Sequence, residues 1–407
     1  MVATIRDLDG DGADGDGTDI TTTITYDDAS RVVQQTDDNA HTTTRTYDAL
    51  DRLVHQQMAD QTLRQSEYDM YDNPILWVDA NGSRMTDIYD LLNRRTNRAI
   101  VPDAGVSSDT TLENYQYDGR SRQVMAQDND TTVICRYDSL SRVTRETLSI
   151  SGAPNRTTFS THDGVGNQTS CTYPGGLPIF TTFDDLDRKQ TVSDNIAPFA
   201  NYFYIGPDRV KRRVYSPNFP AGTTQTDYQY DGILPNPVGD FGVRRIVGTT
   251  STHLFSGNII DHRSYKYDRM GNKIERKDLP PASPRWTHSY EYDLIYRLKW
   301  TVVTVRNKQY DLDGVGNRTN VTGGPTPGGY LLDQTLPTPG DLQTNQYSVT
   351  PFDTRLYDEN GNLIRKNDGF PNQQNLVYDY RNQMVQFDDA MLSQTHTYAY
   401  DCFGRRV

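Results

Sequence analysis

The residues best able to do chemistry in this sequence are its carboxylates. Asp and Glu number 54 against 41 Lys and Arg, which gives a formal net charge of −13. The segment Asp7–Gly12 reads DLDGDG, like the first half of a calcium-binding loop, and Asp14, Asp16 and Asp19 extend it. A full loop needs a bidentate Glu at its twelfth position, where this chain has Thr18. We interpret Asp7–Asp19 as a metal-free Asp/Gly loop, with calcium binding as the alternative.

Other residue types that could form a catalytic or metal site are sparse. The seven histidines show no His-Glu-x-x-His spacing, and the sequence has neither a Cys-x-x-Cys pair nor a Gly-x-Ser-x-Gly elbow. Cys135, Cys171 and Cys402 are an odd number at wide spacing, which fits three free thiols as well as one bridge. We therefore predict no catalytic residues, no metal ligands and no cofactor.

The composition and charge limit the kinds of partner that the chain could bind. No run of Lys and Arg is long enough to follow a phosphate backbone, so we expect no nucleic-acid partner. No stretch of about 18 apolar residues is present, so we expect no membrane span in this chain, and residues 1–10 lack the pattern of a signal peptide. Only 34% of residues are hydrophobic, but 27 are Tyr, which favours strands with half-buried rings over disorder.

A repeated Tyr-Asp dipeptide organises the chain. Fourteen tyrosines are followed by Asp, and Tyr26, Tyr47, Tyr68 and Tyr89 are each 21 residues apart. We call the aromatic position of each unit its anchor and allow His, Phe or Leu there as well as Tyr. Sixteen anchors result, at positions 26, 47, 68, 89, 117, 137, 162, 183, 204, 230, 267, 292, 312, 357, 378 and 400.

Two further columns predict a tight turn in each unit. The fourth residue after the anchor is Gly, Asp, Asn or Ser in fourteen units, and these residues tolerate positive φ. The fifth is Arg in nine units and Asn in five. We interpret the Asp after each anchor as a turn-starting residue whose side chain binds nearby backbone N–H groups. The Arg is expected to pair with that Asp or to stack over a Tyr, with an acidic ligand as the alternative.

The flanks of each turn predict strands, because residues such as Thr42–Tyr47 are β-branched and end in the aromatic anchor. In the Tyr-x-Tyr-Asp form, for example Tyr115 and Tyr117, both rings face one side of a strand. A single 21-residue hairpin cannot bury its face, so each must pair with the next. The sequence therefore predicts an all-β chain of tandem hairpins in an antiparallel sheet.

These motifs resemble the Rhs/YD-repeat family, which includes bacterial Rhs proteins, the B and C components of insecticidal toxin complexes, and teneurins. The resemblance runs from Tyr26 to Val407, and segments 310–318, 357–363 and 400–407 look like family repeats almost letter for letter. It implies a spiral, shell-like β-sheet, a partial β-cocoon. In many bacterial members the repeats lead into a self-cleaving core segment and a variable toxin, and neither is present here.

We divide the chain into an Asp/Gly-rich loop with an incomplete first unit (1–25) and a repeat array (26–407) truncated at its C-terminus. Pro/Gly-rich stretches near 232–262 and 320–350 are interpreted as loop insertions. In the unit at Tyr230, Leu234 and Pro235 occupy the turn and Arg positions, so that unit is interpreted as degenerate. Two strands per unit give about 32 strands and a ribbon of about 150 Å, enough for roughly one turn, with little left to pack against a second.

The resemblance implies a non-catalytic shell segment of a secreted or cell-surface bacterial protein. Its partners would be flanking repeats and a C-terminal toxin domain, in a system that encapsulates or presents that effector. The alternative is a cell-surface adhesion or carbohydrate-binding module that uses exposed Tyr and Arg. A third hypothesis is that the chain is part of a larger toxin enzyme whose nuclease or protease domain is absent here.

Overall fold

The computed structural model describes residues 1–6, 19–215, 222–232, 244–279, 286–303, 306–332, 345–367, 369 and 372–407. These residues form 33 strands and no helix, which confirms the all-β prediction. Most of the acidic segment, including Asp7, Asp9 and Asp11, lies outside the described residues, as do Leu234 and Pro235. The metal-free interpretation of that segment stays a prediction.

Twenty-eight strands form one sheet in which consecutive strands pair antiparallel. They are β1 (Val2–Arg6), β2 (Ile20–Tyr26), β3 (Val32–Thr36), β4 (Thr42–Tyr47), β5 (Leu53–Gln57), β6 (Leu63–Tyr68), β7 (Pro74–Val78), β8 (Arg84–Tyr89), β9 (Arg95–Val101), β10 (Leu112–Tyr117), β11 (Gln123–Gln127), β12 (Thr131–Tyr137), β13 (Val143–Ile150), β14 (Arg156–His162), β15 (Gln168–Thr172), β16 (Pro178–Phe183), β17 (Lys189–Ser193), β18 (Pro198–Ile205), β19 (Arg209–Tyr215), β20 (Thr224–Tyr230), β21 (Ile246–His253), β22 (Ile259–Tyr267), β23 (Lys273–Asp278), β24 (Trp286–Tyr292), β25 (Leu298–Val303), β26 (Arg306–Leu312), β27 (Arg318–Gly323) and β28 (Gly328–Gly329).

A second antiparallel sheet follows, again with consecutive pairing. Its strands are β29 (Thr354–Tyr357), β30 (Leu363–Asn367), β31 (Gln373–Tyr378), β32 (Met384–Asp389) and β33 (Gln394–Thr397).

Thirteen of the hairpins carry the same irregularity at their anchor. In the first repeat Thr25 lies opposite Gln34 but Tyr26 lies opposite Val32, so one strand has an extra residue and forms a β-bulge. A three-residue loop with a bulge is a common hairpin connection because its twist matches that of the strands. The same register shift occurs at Tyr47, Tyr68, Tyr89, Tyr117, His162, Phe183, Tyr204, Tyr230, Tyr267, Tyr292, Tyr357 and Tyr378.

The chain divides into two compact units. The first comprises Met1–Ile134, Leu148–Pro154 and Tyr310–Val407, and the second comprises Cys135–Thr147 and Asn155–Gln309. Both bury little apolar surface, and the first has a small cluster of Met85, Ile100 and Tyr380 with Val106 packed against it. Backbone ladders and side-chain pairs must therefore supply much of the stability.

The segment 232–262, interpreted from sequence as a loop insertion, contains regular structure. Strand β21 lies inside it and pairs with β20 on one side and β22 on the other. The Asp231 N–H donates to the Arg245 carbonyl (2.9 Å), so these two residues close the anchor turn of this unit, and residues 233–243 lie outside the described residues. The 320–350 segment begins with the end of β27 and with β28, and residues 333–344 lie outside the described residues.

Candidate functional site

The repeated Tyr-Asp turn places the Asp side chain in the same geometry from unit to unit, except after Tyr204, where Ile205 replaces the Asp. In the first turn the Asp27 N–H donates to the Arg31 carbonyl (3.0 Å) and the Ser30 N–H donates to the Asp27 carbonyl (3.0 Å). Asp27 Oδ1 accepts from the N–H groups of Ala29 (3.0 Å) and Arg31 (2.9 Å). This confirms the sequence interpretation of the Asp as the residue that organises the turn.

The fourth residue after the anchor has the predicted positive φ in most units, but not after Tyr204, where Gly206 rather than Asp208 has it. Values lie between +58° and +107° at Ser30, Asp51, Asp72, Asn93, Ser121, Ser141, Gly166, Asp187, Gly271, Tyr296, Gly316, Gly361, Asn382 and Gly404. Tyr296 is the exception to the expected residue types, because a bulky side chain at φ +68° is strained.

The Arg at the fifth position makes both predicted contacts at once. Arg31 Nε donates to Asp27 Oδ2 (2.7 Å), while its guanidinium lies over the Tyr47 ring of the next repeat at 5.0 Å. Its Nη1 also donates to the Asp48 carbonyl (3.3 Å) and to Asp51 Oδ1 (2.6 Å). In other repeats Asn replaces Arg, and Asn73 Nδ2 links Asp69 (2.8 Å) to Asn93 of the next turn (3.0 Å).

The anchor tyrosine closes the link between repeats. Tyr47 Oη donates to the carbonyl of Val32 in the preceding repeat (2.9 Å), and Tyr68 does the same to Leu53 (3.0 Å). Equivalent bonds come from Tyr89, Tyr117, Tyr204, Tyr230, Tyr267, Tyr292, Tyr378 and Tyr400. We call this set of Tyr, Asp and Arg or Asn contacts the repeat ladder.

The ladder stabilises its carboxylates in the charged form. The Arg122 side chain, with Nε 2.6 Å from Asp118 Oδ2, lowers the pKa of Asp118 from 3.8 to about 2. The pKa values of Asp27, Asp90 and Asp184 are lowered in the same way, first by a hydrogen bond from the Arg of the same turn.

Sequence reasoning missed one member of the ladder. In the unit at Tyr230, Asp231 accepts from the Arg245 N–H (2.6 Å) and from its Nε (3.4 Å), and Arg244 has the positive φ of +61°. Arg245 lies 4.6 Å from the Tyr267 ring and donates to the Asp268 carbonyl (3.2 Å). The unit is therefore complete rather than degenerate, because Arg244 and Arg245 take the roles assigned to Leu234 and Pro235. The available signal was the Arg-Arg pair directly before a β-branched segment.

Within the first unit, C-terminal turns dock against N-terminal repeats. Asn360 Nδ2 donates to Asp79 (2.8 Å), the Asn360 N–H donates to Asn81 (2.9 Å), and Asn81 Nδ2 donates to Asp358 (3.0 Å). These residues are about 280 positions apart. The expectation that little of the ribbon would pack against another turn is therefore wrong.

A second docking contact surrounds Glu113, which is fully buried. Its carboxylate accepts from Tyr115 Oη (2.6 Å) and from Tyr380 Oη, and it pairs with Arg381. Arg381 also donates to the carbonyls of Asp401 (3.1 Å) and Cys402 (3.0 Å). We call Glu113, Tyr115, Tyr380 and Arg381 the Glu113 clamp.

Burial governs the titration of this region. It raises the pKa of Tyr380 well above its ordinary value and raises the pKa of the Cys402 thiol from 9.0 to about 11. It also lowers the pKa of Arg381, which lies near Arg98 and Arg95. A thiol that stays protonated and buried is a poor nucleophile.

The other residues weighed from the sequence are not brought together. Cys135, Cys171 and Cys402 are thiols that form no disulfide, which decides between the two alternatives. Within the described ranges no group of three or more His, Cys, Asp and Glu side chains has the arrangement of a metal site. The same residues include no helix long and apolar enough to cross a membrane.

The chain is similar to known proteins in its three-dimensional structure. No family model and no curated protein matches the chain. The crystal structure of TcdB2-TccC3 matches with a TM-score of 0.77 and 16% identity over 97% of this chain. The Photorhabdus luminescens Tc holotoxin pore with a mutated TccC3 matches with a TM-score of 0.75 and 17% identity, also over 97%.

In both cases the matched region is 22% of the other chain, so this chain spans about a fifth of the length of the toxin chains it resembles. The regular hairpins, the repeat ladder and this coverage lead to one conclusion. The chain has the fold of the Tc toxin chains, which confirms its resemblance to the Rhs/YD-repeat family at the level of the fold.

Proposed function

We propose that the chain is a non-catalytic segment of a secreted bacterial shell that encloses or presents an effector polypeptide. The observation that carries this proposal is the repeat ladder, in which the anchor Tyr hydroxyl and the Arg or Asn of the turn join successive hairpins. Such a ladder engages the repeated Tyr, Asp and Arg or Asn side chains with neighbouring repeats and extends the sheet by one hairpin at a time. The likeness to Tc toxin chains supports the same role.

The proposed partners are flanking repeats of the same kind and a toxin domain. The adhesion alternative required exposed Tyr and Arg on the sheet. Arg31 and Arg52 are instead held by Asp, by a backbone carbonyl and by the next Tyr ring, which leaves few of their donors for a ligand. This engagement favours a structural role for the repeat side chains.

Protease protection tests the proposal. A small, protease-sensitive reporter domain is fused after Val407, and the same reporter fused before Met1 serves as the control. If the sheet encloses or holds a following polypeptide, the C-terminal reporter is cut more slowly than the N-terminal one. Equal cleavage of both fusions, with the repeat array intact by circular dichroism, would contradict an enclosing role.

A further inference from the structure

The sequence contains two Asn-Gly dipeptides, Asn81-Gly82 and Asn360-Gly361, and the fold brings them into contact. The first lies in the turn between β7 and β8, and the second lies in the turn between β29 and β30. The Asn360 N–H donates to Asn81 Oδ1 (2.9 Å), although the two residues are 279 positions apart. Both turns belong to the first unit. Both Asn-Gly dipeptides of the chain therefore lie in one contact.

The two turns bind each other through equivalent atoms in both directions. Asn81 Nδ2 donates to Asp358 Oδ2 (3.0 Å), and Asn360 Nδ2 donates to Asp79 Oδ2 (2.8 Å). Asn81 Oδ1 accepts from the Asn360 N–H (2.9 Å), and Asn360 Oδ1 accepts from the Ala80 N–H (3.1 Å). Each side chain therefore donates to a carboxylate and accepts from a backbone N–H, a combination that an amide can make and a carboxylate cannot.

An Asn-Gly dipeptide that is free to move can react with itself. The backbone nitrogen of the Gly gives up its proton and attacks the side-chain Cγ of the Asn, so that a C–N bond forms and ammonia leaves. Water then opens the resulting cyclic succinimide to aspartate or isoaspartate. Gly favours the attack because it has no Cβ and reaches backbone conformations that are closed to other residues. The net reaction consumes water, releases ammonia and turns a neutral amide into a carboxylate.

The docked turns oppose this reaction at both positions. The Gly82 N–H donates to the Asp79 carbonyl (3.1 Å), and the Gly361 N–H donates to the Asp358 carbonyl (2.9 Å). Each attacking nitrogen is therefore held within its own turn. Each side-chain amide is held by bonds to the opposite turn, and rotation towards its own backbone would break them. The reaction therefore requires the two turns to separate.

The product of the reaction would oppose docking. In Asn360→Asp the new carboxylate replaces the amide whose nitrogen lies 2.8 Å from Asp79 Oδ2, so two negative groups meet with no donor between them. Asp79 is buried, and its pKa is raised by this burial and further by the nearby Asp358 carboxylate. The surroundings thus already disfavour negative charge, and a further carboxylate would push the turns apart.

From these observations we propose that Asn81 and Asn360 form a deamidation site that is protected while the C-terminal repeats are docked and reacts when they separate. A docked chain keeps both amides. A chain whose turns separate converts an amide to a carboxylate and then docks less tightly, so the separation leaves a permanent chemical change. This modification does not depend on the proposed shell role, and either can fail without the other.

The rate of deamidation tests the proposal on the full chain. Samples are held at mildly alkaline pH, and the peptides that contain positions 81 and 360 are quantified over time by mass spectrometry. The folded protein should react far more slowly at both positions than the same protein in denaturant, where the turns are separated. Equal rates in the two solvents would overturn the proposal, since docking would then give no protection.

Glu113→Gln weakens docking without altering either Asn, because it removes one side of the buried ion pair with Arg381. Deamidation at both positions should become about 100-fold faster, which is the expected increase in the undocked fraction. The matched control is Glu67→Gln, which removes an exposed carboxylate on β6 and should leave both rates unchanged. If Glu113→Gln deamidates no faster than the unchanged protein, docking does not control the reaction and the proposal fails.

Asn81→Asp reproduces the product and tests its effect on docking. The readout is hydrogen exchange at the Ser107 N–H, which donates to the Tyr378 carbonyl (2.8 Å) across the docked repeats. Exchange should be about tenfold faster, because a donor is lost and a like charge is added. The control is Asn195→Asp, which makes the same change of charge in an exposed turn and should not affect Ser107. Equal exchange in both variants would contradict the loss of docking.

Discussion

Replacing Glu113 by Gln should loosen the docking of the C-terminal repeats. The substitution keeps the shape of the side chain but removes the only carboxylate that pairs with Arg381 inside the clamp. Breaking a buried ion pair from one side typically costs about 3–5 kcal/mol, because the remaining charge is left without compensation.

The structure places the expected cost at the lower end of that range. The Arg381 side chain is 23% exposed, and it keeps its bonds to the Asp401 and Cys402 carbonyls. Gln also retains an oxygen that can accept from a Tyr hydroxyl. We therefore expect a loss of about 3 kcal/mol, which corresponds to roughly a 100-fold change in the docking equilibrium.

Amide hydrogen exchange at Ser107 measures this loss directly. The Ser107 N–H donates to the carbonyl of Tyr378 (2.8 Å), a bond that exists only while the C-terminal repeats are docked. Exchange there should accelerate about 100-fold in Glu113→Gln. The control is Glu67→Gln, an exposed carboxylate on β6, which should leave exchange at Ser107 unchanged. An equal rate in Glu113→Gln and the unchanged protein would refute the assignment of the clamp as the main docking contact.

Three further substitutions test the turns by chemical denaturation or thermal melting. Gly166→Val should lower the free energy of unfolding by about 1–3 kcal/mol, because φ is +107° and no atom lies within 4 Å of the added Cβ, so backbone strain is the expected cause. Gly164→Val in the same loop should be nearly neutral. Similar values for the two variants would show that strain is not the cause. Tyr296→Gly should stabilise the protein by about 1 kcal/mol, because Gly adopts the positive φ of this position without strain. Leu294→Gly in the same turn should not stabilise it. A loss of stability in both variants would contradict this reasoning. Asp118 has a folded pKa of about 2 against 3.8, so its stabilising effect is present above pH 3.8 and is lost as the pH falls toward 2. The melting temperature of Asp118→Asn should therefore depend less on pH in that window than that of the unchanged protein, and parallel curves would exclude the Arg122 contact as the source.

Much of the fold could be predicted because the repeat combines several independent local signals. A β-branched run ending in Tyr, an Asp that binds turn N–H groups, and a residue that tolerates positive φ all point to one hairpin. Because each signal depends on residues only a few positions apart, it can be recognised in a single sequence. The contacts of the repeat ladder could also be predicted, because an Arg and a Tyr that recur at a fixed spacing along a sheet are placed to stack on one another.

What could not be predicted depends on contacts between distant parts of the chain. Nothing around Glu113 indicates that its carboxylate would be buried against Tyr380 and Arg381, which lie some 267 residues later. Arg245 was missed for a related reason, since an insertion moved it from the fourth residue after Asp231 to the fourteenth. A fixed spacing from the anchor cannot locate the Arg when the turn contains an insertion. The pairing of β20 with β21 in the structure identifies it instead.

The short reach of the ladder has a consequence for how the chain acquires its structure. The hydroxyl bond from Tyr47 to Val32 spans 15 residues, and the bond from Arg31 to Asp51 spans 20. A new hairpin can therefore complete its contacts as soon as the hairpin before it exists, without waiting for the rest of the polypeptide. Folding can then proceed in step with synthesis or export, one repeat at a time. Only the contacts between distant repeats, such as the clamp and the bonds of Asn360 to Asp79 and Asn81, must wait for the final repeats to arrive.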